Sequence, residues 1–106
     1  MRNKFHAKKA EFNGITFDSI HEKNRYVELV LMEKAQVIQD LKVQQKFPLI
    51  PKSKWGREIY YKADFTYYRD GKLVVEDAKS PVTKTPVYRL KRRLMMEKYS
   101  IVIEES

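Results

Sequence analysis

Residues 58–79, EIYYKADFTYYRDGKLVVEDAK, read as two strands joined at Asp70-Gly71. Both halves are dense in β-branched and aromatic residues, and Asp-Gly between such runs is a strong signal for a two-residue hairpin turn. Across a symmetric turn of that kind, paired residue numbers sum to 141, which sets Asp64 opposite Asp77. A bulge at Gly71 lowers the sum to 140 and sets Asp64 opposite Glu76 instead, so either register makes a carboxylate pair. Opposed side chains lie about 5 Å apart at Cβ, and like charges there are destabilising, so folding alone does not call for such a pair. Period two also puts Lys79 on the face of Asp77. A cation between the carboxylates removes the repulsion. The plain alternative is a solvated polar face on which Lys79 pairs with one of the acids.

Working outward, Asn13-Gly14 between short apolar stretches in residues 10–17 signals a second hairpin. Ser19 with Glu22 three residues on reads as a capping box opening a helix over residues 20–35, with Ile20, Val27, Val30, Leu31 and Ala35 near one stripe. Residues 41–49 alternate as a half-buried strand that Pro48 and Pro51 end. A basic loop follows, Lys52-Ser53-Lys54-Trp55-Gly56-Arg57. Its tryptophan is either a core residue or a ring for DNA. Thr85 as N-cap with Pro86 at the first helical position opens a second helix to about Tyr99, with Leu90, Leu94 and Met95 on its apolar side. Ile101–Ile103 reads as a closing strand. The expected fold is α/β, a mixed α+β layer with a central mixed sheet flanked by helices.

The chain has 106 residues, 22 Lys and Arg against 14 Asp and Glu, and a net charge of +8, so one domain over residues 1–106 with a basic arm at 1–9 and a polyanionic partner is expected. It holds no cysteine and only two histidines, His6 and His21, which excludes disulfides, thiol nucleophiles and Cys- or His-rich metal sites. No membrane-length apolar run and no signal-peptide pattern is seen, so a cytoplasmic protein without membrane contact is expected. A few carboxylates suit a hard ion, Mg²⁺ or Mn²⁺, and such ions bring phosphate chemistry. No organic cofactor is indicated. Lys8, Lys9, Lys52, Lys54, Trp55, Arg57, Lys84, Arg89, Lys91, Arg92 and Arg93 are candidate DNA contacts. Arg89 to Arg93 carries four cations in five residues, which a merely solvated helix face also explains.

A helix with Ser19-x-x-Glu22, a strand with Ala63-Asp64 and a strand ending in Asp77-Ala78-Lys79 together resemble the PD-(D/E)XK nuclease superfamily, over residues 18–79. More closely, HAKKAEFNGITFDS, YKADFTYY and VVEDAKS look like a family of short phage and prophage proteins of unassigned function. The superfamily resemblance implies a restriction-endonuclease-like domain, with Asp64 and Asp77 as metal ligands and Lys79 as the catalytic lysine. Glu22 would be a further catalytic acid binding metal directly or through water. It also implies supporting roles for Ser19, for Gln44 or Gln45, and for Glu76, which competes with Asp77 as ligand. Ala63 stands where the motif has proline. The implied activity is a metal-dependent endonuclease resembling resolvases of Holliday junctions, acting on branched DNA as a homodimer in phage recombination or replication. The alternative is a phage accessory protein that binds nucleic acid on a nuclease scaffold without cutting it.

Overall fold

The computed structural model describes residues 9–79 and 84–106. Two turns set most of the local order. Asn13 and Gly14 have φ of 54° and 75°, and Asp70 and Gly71 have 53° and 75°. These are the left-handed pairs that a two-residue turn between right-twisted strands requires, which explains the Asx-Gly dipeptides. The first turn joins β1 (Ala10–Phe12) to β2 (Ile15–Phe17). The second joins β6 (Phe65–Arg69) to β7 (Lys72–Asp77), with Phe65 opposite Glu76 and Thr66 opposite Val75. The register therefore sums to 141, and the bulged alternative does not occur.

Helix α1 (Ile20–Lys34) starts where Ser19 Oγ accepts the Glu22 N–H at 3.1 Å. Its inward side differs from the expected stripe: Glu22 and Leu29 are buried, with Tyr26 and Met32 packed beside them, while Ile20, Leu31 and Ala35 are exposed. The helix turns an acid inward and three aliphatic residues of the expected stripe outward.

The strand expected over 41–49 is two strands, β3 (Gln39–Val43) and β4 (Lys46–Ile50), separated at Gln44, whose φ is 56°. The run at 58–68 likewise divides into β5 (Ile59–Lys62) and β6, with Ala63 and Asp64 between them. The two breaks face each other: Gln44 N–H donates to Asp64 O and Ala63 N–H to Gln45 O, at 3.2 and 2.9 Å. A long two-stranded ribbon is thus bent in the middle, and its halves enter different sheets. Pro48 does not end its strand. It sits inside β4 opposite Tyr60, in a two-stranded sheet that leaves the far side of β4 without a ladder partner.

The central sheet has the order β3-β6-β7-β8, with β8 (Glu104–Glu105) parallel to β7 and the other pairs antiparallel. The closing strand is therefore three residues later than Ile101; Ile101 and Ile103 pack into the core instead. Helix α2 (Pro86–Tyr99) opens as expected, with Thr85 Oγ1 accepting the Tyr88 N–H at 3.1 Å, and closes at Ser100 with φ 57°. Its buried residues are Tyr88 and Met95, whereas Leu90 is exposed. The fold is a mixed α+β domain in which both faces of β6 and β7 are covered. Phe65, Tyr67 and Val74 meet Phe17, Leu29 and Ile38 on one face. Val75 meets Tyr61, Met95 and Ile103 on the other. Each large apolar side chain so buried contributes about 1.5–3 kcal/mol. Among the described residues no helix is long and apolar enough to cross a membrane.

Candidate active site

Strand parity separates the two neighbouring acids. Glu76 lies on the α1 face with Phe65 and Val74, and Asp77 lies on the opposite face with Val75. Glu76, 1% exposed, is fully engaged: it accepts from Arg25 Nε and Nη2 at 2.6 and 2.9 Å, from Tyr67 Oη at 2.6 Å and from Ser106 Oγ at 2.7 Å. Burial pushes its pKa up, but these donors outweigh it and hold the carboxyl below its ordinary range. It is a structural acid with no free lone pair to offer. Asp77 is the acid on the side of Asp64.

Asp77 is 2% exposed. Its Oδ2 accepts the Tyr61 hydroxyl, while its Oδ1 has no hydrogen bond. Lys79 Nζ stands 3.1 Å from that Oδ1, near enough for charge attraction but off the line of a hydrogen bond. The same ammonium lies 4.8 Å from the centre of the Tyr88 ring. Asp64 sits at the ribbon bend, and its Oδ2 accepts the Ala78 N–H at 2.9 Å. That bond links the bend to the residue just past β7 and so fixes the carboxyl beside Asp77. A break in pairing that redirects a side chain is the usual work of such irregularities.

Glu22 completes the group from α1. The first turn of this helix stands beside the strand ends, where His21 Nε2 lies 2.9 Å from Ser106 O. Burial raises the Glu22 pKa first, then the charges of Asp18 and Asp77, while Lys79 and a hydrogen bond with Asp64 act the other way. Burial likewise pushes Asp64 up to about 9, helped by Asp77 and Glu22 and opposed by the Ala78 N–H. A shared proton or a cation is what this acid cluster needs at neutral pH. Burial and Asp77 also raise the Tyr61 hydroxyl pKa, so it remains a donor that holds Asp77 in place.

The arrangement fits a hard divalent ion in its chemistry. Asp64 at the ribbon bend and Asp77 at the end of β7 converge, and one buried carboxylate oxygen lacks a hydrogen bond. Among the described residues no three acidic or histidine side chains form a ready ligand shell. Mg²⁺, however, is commonly held by one or two carboxylates with water and phosphate in the remaining positions.

The expected site residues thus divide. Glu22, Asp64, Asp77 and Lys79 come together, and Ser19 serves by capping α1. Gln45 Oε1 accepts from Thr66 Oγ1 at 2.8 Å, two residues along the strand from Asp64, whereas exposed Gln44 acts through its backbone at the bend. Lys84 and Arg92 are bound to Glu105 at 3.1 and 2.8 Å, and Lys91 lies 5.8 Å from the Tyr60 ring centre. Arg89, Arg93, Lys52, Lys54 and Arg57 are exposed, as is Lys9, and Trp55 is 87% exposed and no part of the core. Lys8 lies outside the described residues. Tyr61, Tyr88 and Arg25 escaped the sequence reading. Tyr61 stands out only once its parity is set against Asp77, and the Arg25–Glu76 pair has a separation of 51 residues with no local signal.

No curated protein and no solved structure matches this chain. A family model does, over residues 2–105, under the description "Protein of unknown function (DUF1064)". On a match of that extent, the chain belongs to the DUF1064 family.

Proposed function

We propose that the protein is a Mg²⁺- or Mn²⁺-dependent endodeoxyribonuclease that hydrolyses phosphodiester bonds. The observation that carries this reading is the convergence of Asp64, Asp77 and Lys79, with Glu22 from α1, at a bend in the strand ribbon. Asp64 and Asp77 would hold the ion, with Glu22 reaching it directly or through water. When bound, it supplies Lewis acidity toward a phosphodiester and an acidified water.

The chain's own residues do the positioning. Tyr61 and the Ala78 N–H fix one oxygen of each aspartate, so the other oxygens keep their direction without rotamer cost. The Lys79 ammonium, set between Asp77 and the Tyr88 ring, places a positive charge where a phosphate oxygen gains negative charge. The Tyr88 hydroxyl donates to Glu105 Oε2 at 2.7 Å, which anchors that ring.

Substrate selection by shape rather than by base sequence is part of this reading, since the described residues are committed to two cores and a site. The proposed substrate is branched DNA of the four-way-junction type, cut by a homodimer in a phage or prophage setting within the host cytoplasm. The test is cleavage of a labelled four-way junction, a flapped duplex and a linear duplex with Mg²⁺, with Mn²⁺ and with chelator, for the wild type and Asp77→Ala. Metal-dependent cutting of branched DNA that falls at least about a hundredfold in the variant is expected. Salt-sensitive binding without cutting under either metal overturns the enzyme and leaves a nucleic-acid-binding protein on a nuclease scaffold.

A further inference from the structure

The β4–β5 hairpin is not accounted for by the site. From its base to its tip it carries cations that meet no carboxylate among the described residues. Lys46 pairs directly opposite Lys62, a like-charge placement that costs stability in a sheet. Among the described residues neither of these lysines, nor Lys52, Lys54 or Arg57, lies within ion-pair distance of an acid. Elsewhere among the described residues some cations meet carboxylates, namely Arg25, Lys42, Arg69, Lys79, Lys84 and Arg92, while others, Arg89 and Arg93 among them, do not; the hairpin is set apart by how many such cations share one strand pair and its tip. The unneutralised set begins two residues from Asp64, at Lys62, and runs to the hairpin tip.

At the tip stands the only tryptophan, 87% exposed. The turn beneath it is ordered: Ser53 and Gly56 form a bridge with N···O distances of 3.0 and 3.2 Å, and Ser53 Oγ accepts the Trp55 N–H at 3.1 Å. Lys54 Nζ lies 5.0 Å from the ring centre. Midway along the hairpin the Tyr60 ring has Lys46 Nζ 4.6 Å from its centre. Two rings, Trp55 at the tip and half-buried Tyr60 midway along β5, each with a lysine beside it, match the stacking faces and phosphates of a single nucleic-acid strand. A bilayer is a poorer fit, because the tip offers one apolar ring amid charges.

We propose that this hairpin is a binding arm for unpaired nucleotides, on whose tip Trp55 stacks against a base while the lysines hold the phosphates leading to Asp64. The arm deepens the nuclease reading by giving it a recognition element for DNA that is not fully paired. It rests on that reading only for the identity of the nucleic acid as substrate.

The single tryptophan makes the test direct. Intrinsic fluorescence is titrated with oligothymidylate, with a fully paired duplex and with anionic phosphatidylserine vesicles, in chelator, using wild-type protein and Asp77→Ala. Quenching by the single strand in both proteins, weak or absent with the duplex, is expected. Trp55→Ala should weaken single-strand binding, followed by anisotropy of a labelled oligonucleotide, by roughly tenfold, and Trp55→Phe should restore most of it. Unchanged affinity in Trp55→Ala, or binding without quenching, overturns the arm. So does a fluorescence response to vesicles alone. Because no cleavage is involved, quenching without any nuclease activity sinks the enzyme and leaves the arm, while cleavage without quenching does the reverse.

Discussion

Two adjacent acids, Glu76 and Asp77, have opposite fates because a strand turns successive side chains to opposite faces. Glu76 is satisfied by four donors and its pKa is held down; Asp77 keeps an oxygen without a hydrogen bond beside Asp64, whose pKa is pushed up to about 9. The stability consequences have opposite signs. Asp64 binds its proton more tightly when folded than at its ordinary value of 3.8, so its contribution is full at low pH and is lost as pH rises toward about 9. The contribution of Glu76 is present above the ordinary carboxyl range and is lost as pH falls through its lowered pKa. In chelator, thermal unfolding should therefore show a midpoint that declines from about pH 5 to about pH 9, and Asp64→Asn should flatten that decline. Mg²⁺ or Mn²⁺ should raise the midpoint at the upper end, through a stabilisation of about 2.7 kcal/mol at a hundredfold excess over Kd. A metal-insensitive midpoint across the whole range would speak against an ion between Asp64 and Asp77.

Among the elements, the β6–β7 hairpin has the most consequence, since its turn fixes which acids face each other. Gly71 has a φ of 75° with nothing within 4 Å of the place a Cβ would take, so a substitution there meets backbone strain and no clash. Gly71→Val should cost about 1–2 kcal/mol in urea unfolding, the penalty of a left-handed conformation for a residue with a side chain. A bulged turn that shifted the register would also move Asp64 away from Asp77, so loss of the raised Asp64 pKa in carboxyl NMR titration would reveal it. The ribbon bend at Gln44 and Ala63-Asp64 acts at the same scale. It sends β3 and β6 into the central sheet and β4 and β5 toward α2, and it leaves Asp64 between strands with its carboxyl aimed at the Ala78 N–H.

Across the whole molecule the +8 charge is unevenly committed. On α2, Arg92 is bound to Glu105, a carboxyl that burial pushes up but that Tyr88, Lys84 and Arg92 hold below its ordinary range. Arg89 and Arg93 remain exposed on the same helix without such partners among the described residues. If α2 follows DNA phosphates, replacing Arg89 and Arg93 by Gln should reduce the slope of log K against log salt by about 0.9 for each phosphate no longer neutralised. Fluorescence anisotropy of a labelled junction at several salt concentrations measures it. An unchanged slope assigns phosphate binding to other cations, those of the β4–β5 hairpin.

Features under local control can be read along the chain without its fold. The Asn13-Gly14 and Asp70-Gly71 turns and the Ser19 and Thr85 caps follow from neighbours a few residues apart, and so does the narrowing of the register to two choices, of which the structure takes 141. Which way each helix turned and where the long strands broke depended on packing. Leu31 on α1 and Leu90 on α2 face solvent while Glu22 is buried, since the face a helix turns inward is set by what the sheet offers it and not by its own apolar stripe. Pro48 is tolerated because its sheet has only two strands. The choice between Glu76 and Asp77 was likewise made at a distance, by Arg25, Tyr67 and Ser106 on one face and Tyr61 on the other. Periodicity is a property of one segment. A partner 51 residues away leaves no mark on that period, and it emerges only when the segments pack together.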